Sequence, residues 1–287
     1  MREGLGPDFV GIGAQKAGTT WLYENLVVQP GVWMPPVKEI HFFNRLCPHE
    51  SLLGVETRGL PPFPHRYRTL LHQPSLARFR WLRRFYFGAL STPWYYSLFP
   101  PDQVGPRLAG DITPAYSTLD ERGVALARRV LKPGCRVFLI VRNPIERAWS
   151  ALKMHHRWLG TEISAQEVAG LLEKTGEPTH RLRSDYARTV RLWRAAFGDD
   201  LAVFRYEQLS ETPRTFLRDV LGFIGVQGPV EVGTLGKRSN ADPERKPMPN
   251  EVFWELRALY RSRIEEANDV IPGVADDWLG SPKVGSR

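Results

Sequence analysis

Residues 135–141 read CRVFLIV, a run that is apolar apart from one arginine and rich in β-branched side chains, and RNPIE follows it at once. A strand with no polar face belongs in the middle of a parallel sheet covered on both sides. Asn143 suits a helix N-cap, Pro144 the first helical position and Glu146 the reciprocal partner of a capping box. The strand therefore passes directly into a helix and leaves Arg142 at its carboxyl end. This unit restricts the chain to architectures in which helices lie over the faces of a parallel sheet.

The rest of the sequence repeats the unit. DFVGIG, GVWMPP, RLAGDI and LAVFRY are further strand candidates. Helical periodicity follows at Trp21, Leu22 and Leu26, at 124–130, at 181–197, at 213–225 and at 249–268. With 287 residues, 42% hydrophobic and 24% charged, the chain suits one α/β domain over 1–287. Residues 45–107, rich in Pro, Arg and aromatics, break the rhythm and are expected to form a lid or acceptor-binding insertion. No run of about 18 apolar residues occurs, and the first apolar stretch, Phe9 to Ile12, is too short for a signal-peptide core. Two cysteines in unrelated contexts, Cys47 and Cys135, give no disulfide framework. The expected compartment is the cytoplasm.

Thirty-nine basic and 31 acidic side chains leave a net charge of +8, which suits an anionic partner. Three stretches bear on which anion. GIGAQKAGTTWL, 11–22, follows a strand and opens a helix, so its backbone N–H groups and the helix dipole form an anion site. Gly13 and Gly18 have the spacing of a nucleotide-triphosphate loop, but Thr19 stands where that loop needs lysine, and the lysine lies in the middle, at Lys16. Arg142 at a strand's carboxyl end and Ser150 two turns along the next helix can clamp a second phosphate. VKEIHFFN, 37–44, gathers Lys38, Glu39 and His41 beside Phe42 and Phe43, offering charge and proton transfer next to an apolar wall. His41 and His49 near Cys47 lack the spacing of tetrahedral metal ligands.

Together, GAQKAGTT, VRNPIERAWS and the KE followed by aromatics resemble the sulfotransferases that use 3′-phosphoadenosine 5′-phosphosulfate (PAPS), in their heparan-sulfate-type and bacterial carbohydrate-type branch. GDITPAYS at 110–117 and FRYEQL at 204–209 look like signatures of the same family. The resemblance implies a P-loop-like three-layer fold and a loop, Gln15, Lys16, Ala17, Gly18, Thr19 and Thr20, that holds the 5′-phosphosulfate. It implies Arg142 and Ser150 on the 3′-phosphate, with Lys237, Arg238 and Asn240 in a basic segment over the cofactor. It prefers Glu39 as base, with Lys38 stabilising charge and His41 as the competing base. The implied partners are PAPS and a glycan or small-molecule acceptor, with no metal, no nucleic acid and no transmembrane segment. The sequence gives no oligomeric state. Two other readings stand beside this one: a P-loop kinase or nucleotide hydrolase, opposed by Thr19 and by the lack of an obvious acidic metal ligand ending a strand, and a non-catalytic polyanion-binding protein.

Overall fold

The computed structural model describes residues 6–47, 75–159, 170, 178–231 and 247–280. Five strands, β1 (Phe9–Gly13), β2 (Val32–Trp33), β3 (Leu108–Ile112), β4 (Arg136–Val141) and β5 (Leu201–Arg205), form one parallel sheet in the order β2-β3-β1-β4-β5. All five match expected strands. β2 is cut to two residues because Pro35 and Pro36 follow almost at once, and proline has no N–H to extend a ladder.

Around the sheet lie α1 (Thr19–Val27), α2 (Phe42–Leu46), α3 (Leu76–Phe87), α4 (Thr92–Ser97), α5 (Pro101–Val104), α6 (Glu121–Val130), α7 (Pro144–Leu159), α8 (Pro178–Leu182), α9 (Tyr186–Phe197), α10 (Tyr206–Glu211), α11 (Pro213–Ile224), α12 (Asn250–Asn268) and α13 (Val274–Trp278). The helix expected over 181–197 is two helices. Asp185 takes the Arg188 N–H at 3.1 Å and starts α9 as a new N-cap. Among the described residues no helix is long and apolar enough to cross a membrane.

β4 owes its central place to complete burial: Val137 to Val141 are all inaccessible to solvent. Each such side chain stabilises the fold by roughly 1.5–3 kcal/mol. Close strand packing also needs a missing side chain. A Cβ on Gly110 would lie 2.1 Å from the Phe9 ring, so glycine in β3 lets that aromatic cross the sheet face. The described part of 45–107 is helical rather than irregular. Phe85 stacks on Trp81 at 5.2 Å and on Trp94 at 6.0 Å, and Tyr95 stacks on Phe42 at 4.4 Å. Phe42 and Phe43 are consequently fully buried core residues and not an open apolar wall.

The order of the strands locates the site. After β1 the chain fills one side of the sheet with β2 and β3, then crosses to the other side with β4 and β5. The reversal falls between β1 and β4, and in open parallel sheets ligands bind outside the carboxyl ends of the strands at that point.

Candidate active site

The loop 14–18 leaves the carboxyl end of β1 at this reversal and runs into α1. Gly18 is the N-cap, with φ 80°, and no side chain caps the helix. A helix leaves its first N–H groups without internal partners, and here no side chain of the N-cap takes them up, so the amino end of α1 faces the crevice as a donor cluster. Gly18 is required there twice over. Its φ lies in the left-handed region, and a Cβ would come within 2.3 Å of Leu209 Cδ2 in α10. Ala17 and Thr19 are buried, whereas Gln15, Lys16 and Thr20 are half-buried. Lys16 reaches α7, its Nζ 3.5 Å from Met154 Sδ.

Arg142, at the end of β4, closes the same crevice. Its Nη1 donates to the Lys16 carbonyl at 2.9 Å and its guanidinium lies 4.3 Å from the centre of the Tyr206 ring. Glu146 is 3.7 Å from Nη2. Residues four apart share a helix face, so Glu146, Ser150 and Met154 form one stripe of α7. One end of that stripe touches Arg142 and the other touches Lys16, which puts the half-buried Ser150 between the two cations. The capping box expected for α7 is only half present. Asn143 Oδ1 takes the Ile145 N–H at 3.0 Å, but the Asn143 N–H goes to Glu207 Oε1 at 3.3 Å, not to Glu146. Glu207 also accepts from Trp278 Nε1 at 3.0 Å, so α10 and α13 together fix the start of α7. Glu146 is thereby free to face Arg142.

The segment after β2 brings Lys38, Glu39 and His41 together. Lys38 Nζ is 2.5 Å from Glu39 Oε1, and His41 Nε2 is 3.3 Å from Glu39 Oε2. Burial pushes the Glu39 carboxyl up, but the His41 hydrogen bond and the Lys38 ammonium outweigh it and hold it down at about 2. Glu39 is therefore an ionised acceptor at neutral pH. His41 Nε2, facing that carboxylate, must carry a hydrogen, and its Nδ1 is engaged by the Asn44 amide at 3.2 Å. Neither ring nitrogen of His41 has an open lone pair.

What holds this segment is a buried carboxylate. Asp111 in β3 accepts from Thr113 Oγ1 at 2.8 Å, Tyr116 OH at 2.9 Å and Tyr95 OH at 3.0 Å. Thr113 in turn accepts the Ile40 N–H and Tyr116 the Phe42 N–H, each at 3.0 Å. The Glu39 N–H bonds the Ile112 carbonyl at 3.1 Å. Three successive links thus clamp the backbone on either side of His41. Burial raises the Asp111 carboxyl above its ordinary range, the hydrogen bonds from Thr113, Tyr116 and Tyr95 working the other way. Asp111 is the last residue but one of β3, and its oxygens are taken by three hydroxyls. Among the described residues no three His, Cys, Asp or Glu side chains gather as metal ligands.

The backbone marks the same residues independently. Among the described residues, Lys16 (φ 69°), Glu39 (φ 68°) and His41 (φ 57°) are the three non-glycines in the left-handed region. That conformation is unfavourable for a side chain and persists where surrounding structure enforces it, as it does at functional sites.

The sulfotransferase family model matches residues 7–229, a span that contains the loop, the Lys38–His41 segment, Asp111 and Arg142. The chain belongs to the sulfotransferase family. Its fold is shared with a sulfotransferase from Alicyclobacillus acidocaldarius at 22% identity and a TM-score of 0.59, over 95% of this chain and 98% of that one. The sulfotransferase domain of the Synechococcus PCC 7002 olefin synthase is similar at 18% identity and a TM-score of 0.55, covering 94% of this chain and 96% of that domain. A sulfotransferase domain from the curacin biosynthetic pathway follows at 17% identity and 0.51, covering 78% and 75%. No curated protein sequence matches the chain.

In this sulfotransferase, Asn44, Asp111, Met154 and Tyr206 join the site although the motifs did not single them out. Asp111 and Tyr206 lie inside the stretches GDITPAYS and FRYEQL. A carboxylate followed two and five residues later by hydroxyls, at the end of an apolar strand, was the available signal for the first. Lys237, Arg238 and Asn240 lie outside the described residues.

Proposed function

We propose that this sulfotransferase transfers a sulfuryl group from PAPS to a hydroxyl or amine of a glycan or small natural-product acceptor, with Glu39 as general base. The observation that carries the reading is the convergence, at one sheet edge, of an α1 amino end that no side chain caps, two cations linked through the Lys16 carbonyl, and an ionised carboxylate in a separate charged pair. The residues fit the donor: residues 15–20 offer backbone N–H groups and the Lys16 charge to a phosphosulfate, and Arg142 with Ser150 offers a cation and a hydroxyl to a 3′-phosphate. The donor supplies the activated sulfuryl group.

Glu39 keeps lone pairs beyond those occupied by Lys38 and His41, so it can take the proton of an acceptor. A carboxylate held at about 2 is a weak base, and it takes that proton as the acceptor oxygen becomes acidic on bonding to sulfur. His41 orients Glu39 and does not itself accept the proton. Lys16, fixed by its backbone at the loop centre, faces the charge that grows on the departing phosphate. No step calls for a metal. The two free thiols suit a cytoplasmic setting. Two measurements test the reading: calorimetric binding of adenosine 3′,5′-bisphosphate in the presence of EDTA, and transfer of label from radioactive PAPS to a panel of acceptors. Metal-dependent binding of ATP in place of the bisphosphate would return the protein to the kinase class.

A further inference from the structure

We infer that Arg147 is a buried counter-charge for the 3′-phosphate of the donor, a cation left unpaired until the nucleotide supplies its anion. The inference rests on the sulfotransferase reading, which puts that phosphate on Arg142 and Ser150. Arg147 lies in α7, and its side chain is fully inaccessible to solvent. Its Nε donates to Ser184 Oγ at 2.8 Å, but the buried Nη1 and Nη2 have no hydrogen-bond partner. A guanidinium does not shed its proton, so a full charge is held out of water against one neutral hydroxyl. Buried charges are otherwise paired, because desolvating an ion is costly. The acids around Arg147 are turned to other groups. Glu146, next to it in the chain, faces Arg142. Asp185, next to Ser184, is taken by Arg263 of α12 and the Arg188 N–H. Glu207 holds the Asn143 N–H and Trp278 Nε1 and faces Arg205.

What Arg147 does lie beside is the proposed phosphate clamp. Ser150 is less than one turn further along α7 and about 60° round the helix. Tyr186, two residues after Ser184, donates its hydroxyl to the Arg142 carbonyl at 2.8 Å. Burial pushes that hydroxyl up to about 12, and the Arg147 guanidinium is the first influence working the other way. The charge of Arg147 therefore reaches the group that holds Arg142. Charges removed from water act on one another over longer distances than exposed ones, so Arg147 attracts a phosphate held by Arg142 and Ser150 without touching it. Met154, which meets Lys16, is a further turn along α7, so the 3′-phosphate and not the 5′ group is the nearer anion.

The test compares adenosine 3′,5′-bisphosphate with adenosine 5′-phosphate by calorimetry on the parent, Arg147→Met, Arg147→Lys and Ser184→Ala. The sulfotransferase reading requires the parent to prefer the bisphosphate, and the lack of that preference removes the reading and the inference together. Given the preference, Arg147→Met should weaken the bisphosphate about tenfold or more and the 5′-phosphate less than about twofold, as loss of a buried charge facing one phosphate does. Arg147→Lys keeps the charge and should keep most of the preference; Ser184→Ala removes the hydrogen bond alone and should leave it unchanged. Without ligand, Arg147→Met should melt no lower than the parent, because an apolar side chain replaces a charge that had no partner. Equal weakening of both nucleotides overturns the inference. So does an Arg147→Met chain that melts lower with its preference intact, or does not fold, which would make Arg147 a brace between α7 and Ser184. In those outcomes the parent still prefers the bisphosphate, so the sulfuryl-transfer reading survives the loss of the inference.

Discussion

Glu39 and His41 differ in what their neighbours leave available. Both ring nitrogens of His41 are engaged, by Glu39 and Asn44, whereas the Glu39 oxygens retain lone pairs. Glu39→Gln should lower turnover by about 10² to 10⁴ with bisphosphate affinity nearly unchanged. His41→Asn should cost far less, through looser orientation of the glutamate. Turnover of both variants on one acceptor separates them, and the opposite ranking hands the proton to the histidine. The low Glu39 pKa also has a consequence for stability. A carboxyl held at about 2 when folded stabilises the protein above its unfolded value near 4.5, and the effect disappears as pH falls towards 2. The difference in melting temperature between parent and Glu39→Gln should therefore be full at pH 6 and shrink on acidification. Arg142→Ala should weaken adenosine 3′,5′-bisphosphate by roughly 1.5–3 kcal/mol, the worth of a charge-assisted hydrogen bond. It should weaken a nucleotide without the 3′-phosphate much less. Equal losses in calorimetry would mean that Arg142 serves the loop through the Lys16 carbonyl and not the ligand.

The β3 end works as a clamp, and its hydroxyls can be removed one at a time. Thr113→Val strips the Ile40 N–H of its acceptor, and Tyr116→Phe does the same to Phe42. Each leaves a buried donor unsatisfied and should destabilise the protein by about 1–3 kcal/mol, read as a shifted denaturant midpoint at unchanged slope. Turnover should fall by more than bisphosphate affinity, because the released backbone carries Glu39 and not the anion loop. All five strands and the glycine-rich loop between β1 and α1 were legible in the sequence, because a buried parallel strand and a glycine-rich strand-to-helix turn are local patterns. The clamp was not. Thr113 and Tyr116 lie within five residues of Asp111, but Tyr95 joins them only because α4 packs on Phe42, and no spacing along the chain reports that contact. The same reason explains the capping box, where Glu146 has the right spacing but Glu207, 64 residues from Asn143, has the right position. The break in 181–197 was hidden because Asp185 reads as one more polar residue of an amphipathic helix.

Binding at the reversal between β1 and β4 draws on residues from both halves of the sheet, so a nucleotide that fits there holds the whole fold together. Adenosine 3′,5′-bisphosphate at a hundred times its dissociation constant should add about 2.7 kcal/mol and raise the melting temperature by several degrees. The rise should be the same with EDTA present. A rise that needs magnesium would argue for triphosphate chemistry. The left-handed backbone at Lys16 runs the other way, since glycine there would relieve up to about 1 kcal/mol, whereas Glu39 and His41 stabilise the fold through their own ion pair. Selection of a mutant library for heat resistance alone, blind to turnover, should therefore enrich glycine at Lys16, a position proposed to carry the chemistry. Survivors sequenced after such a selection would be hardier than their parent and inert, and the chain's most accessible route to robustness leads away from being an enzyme.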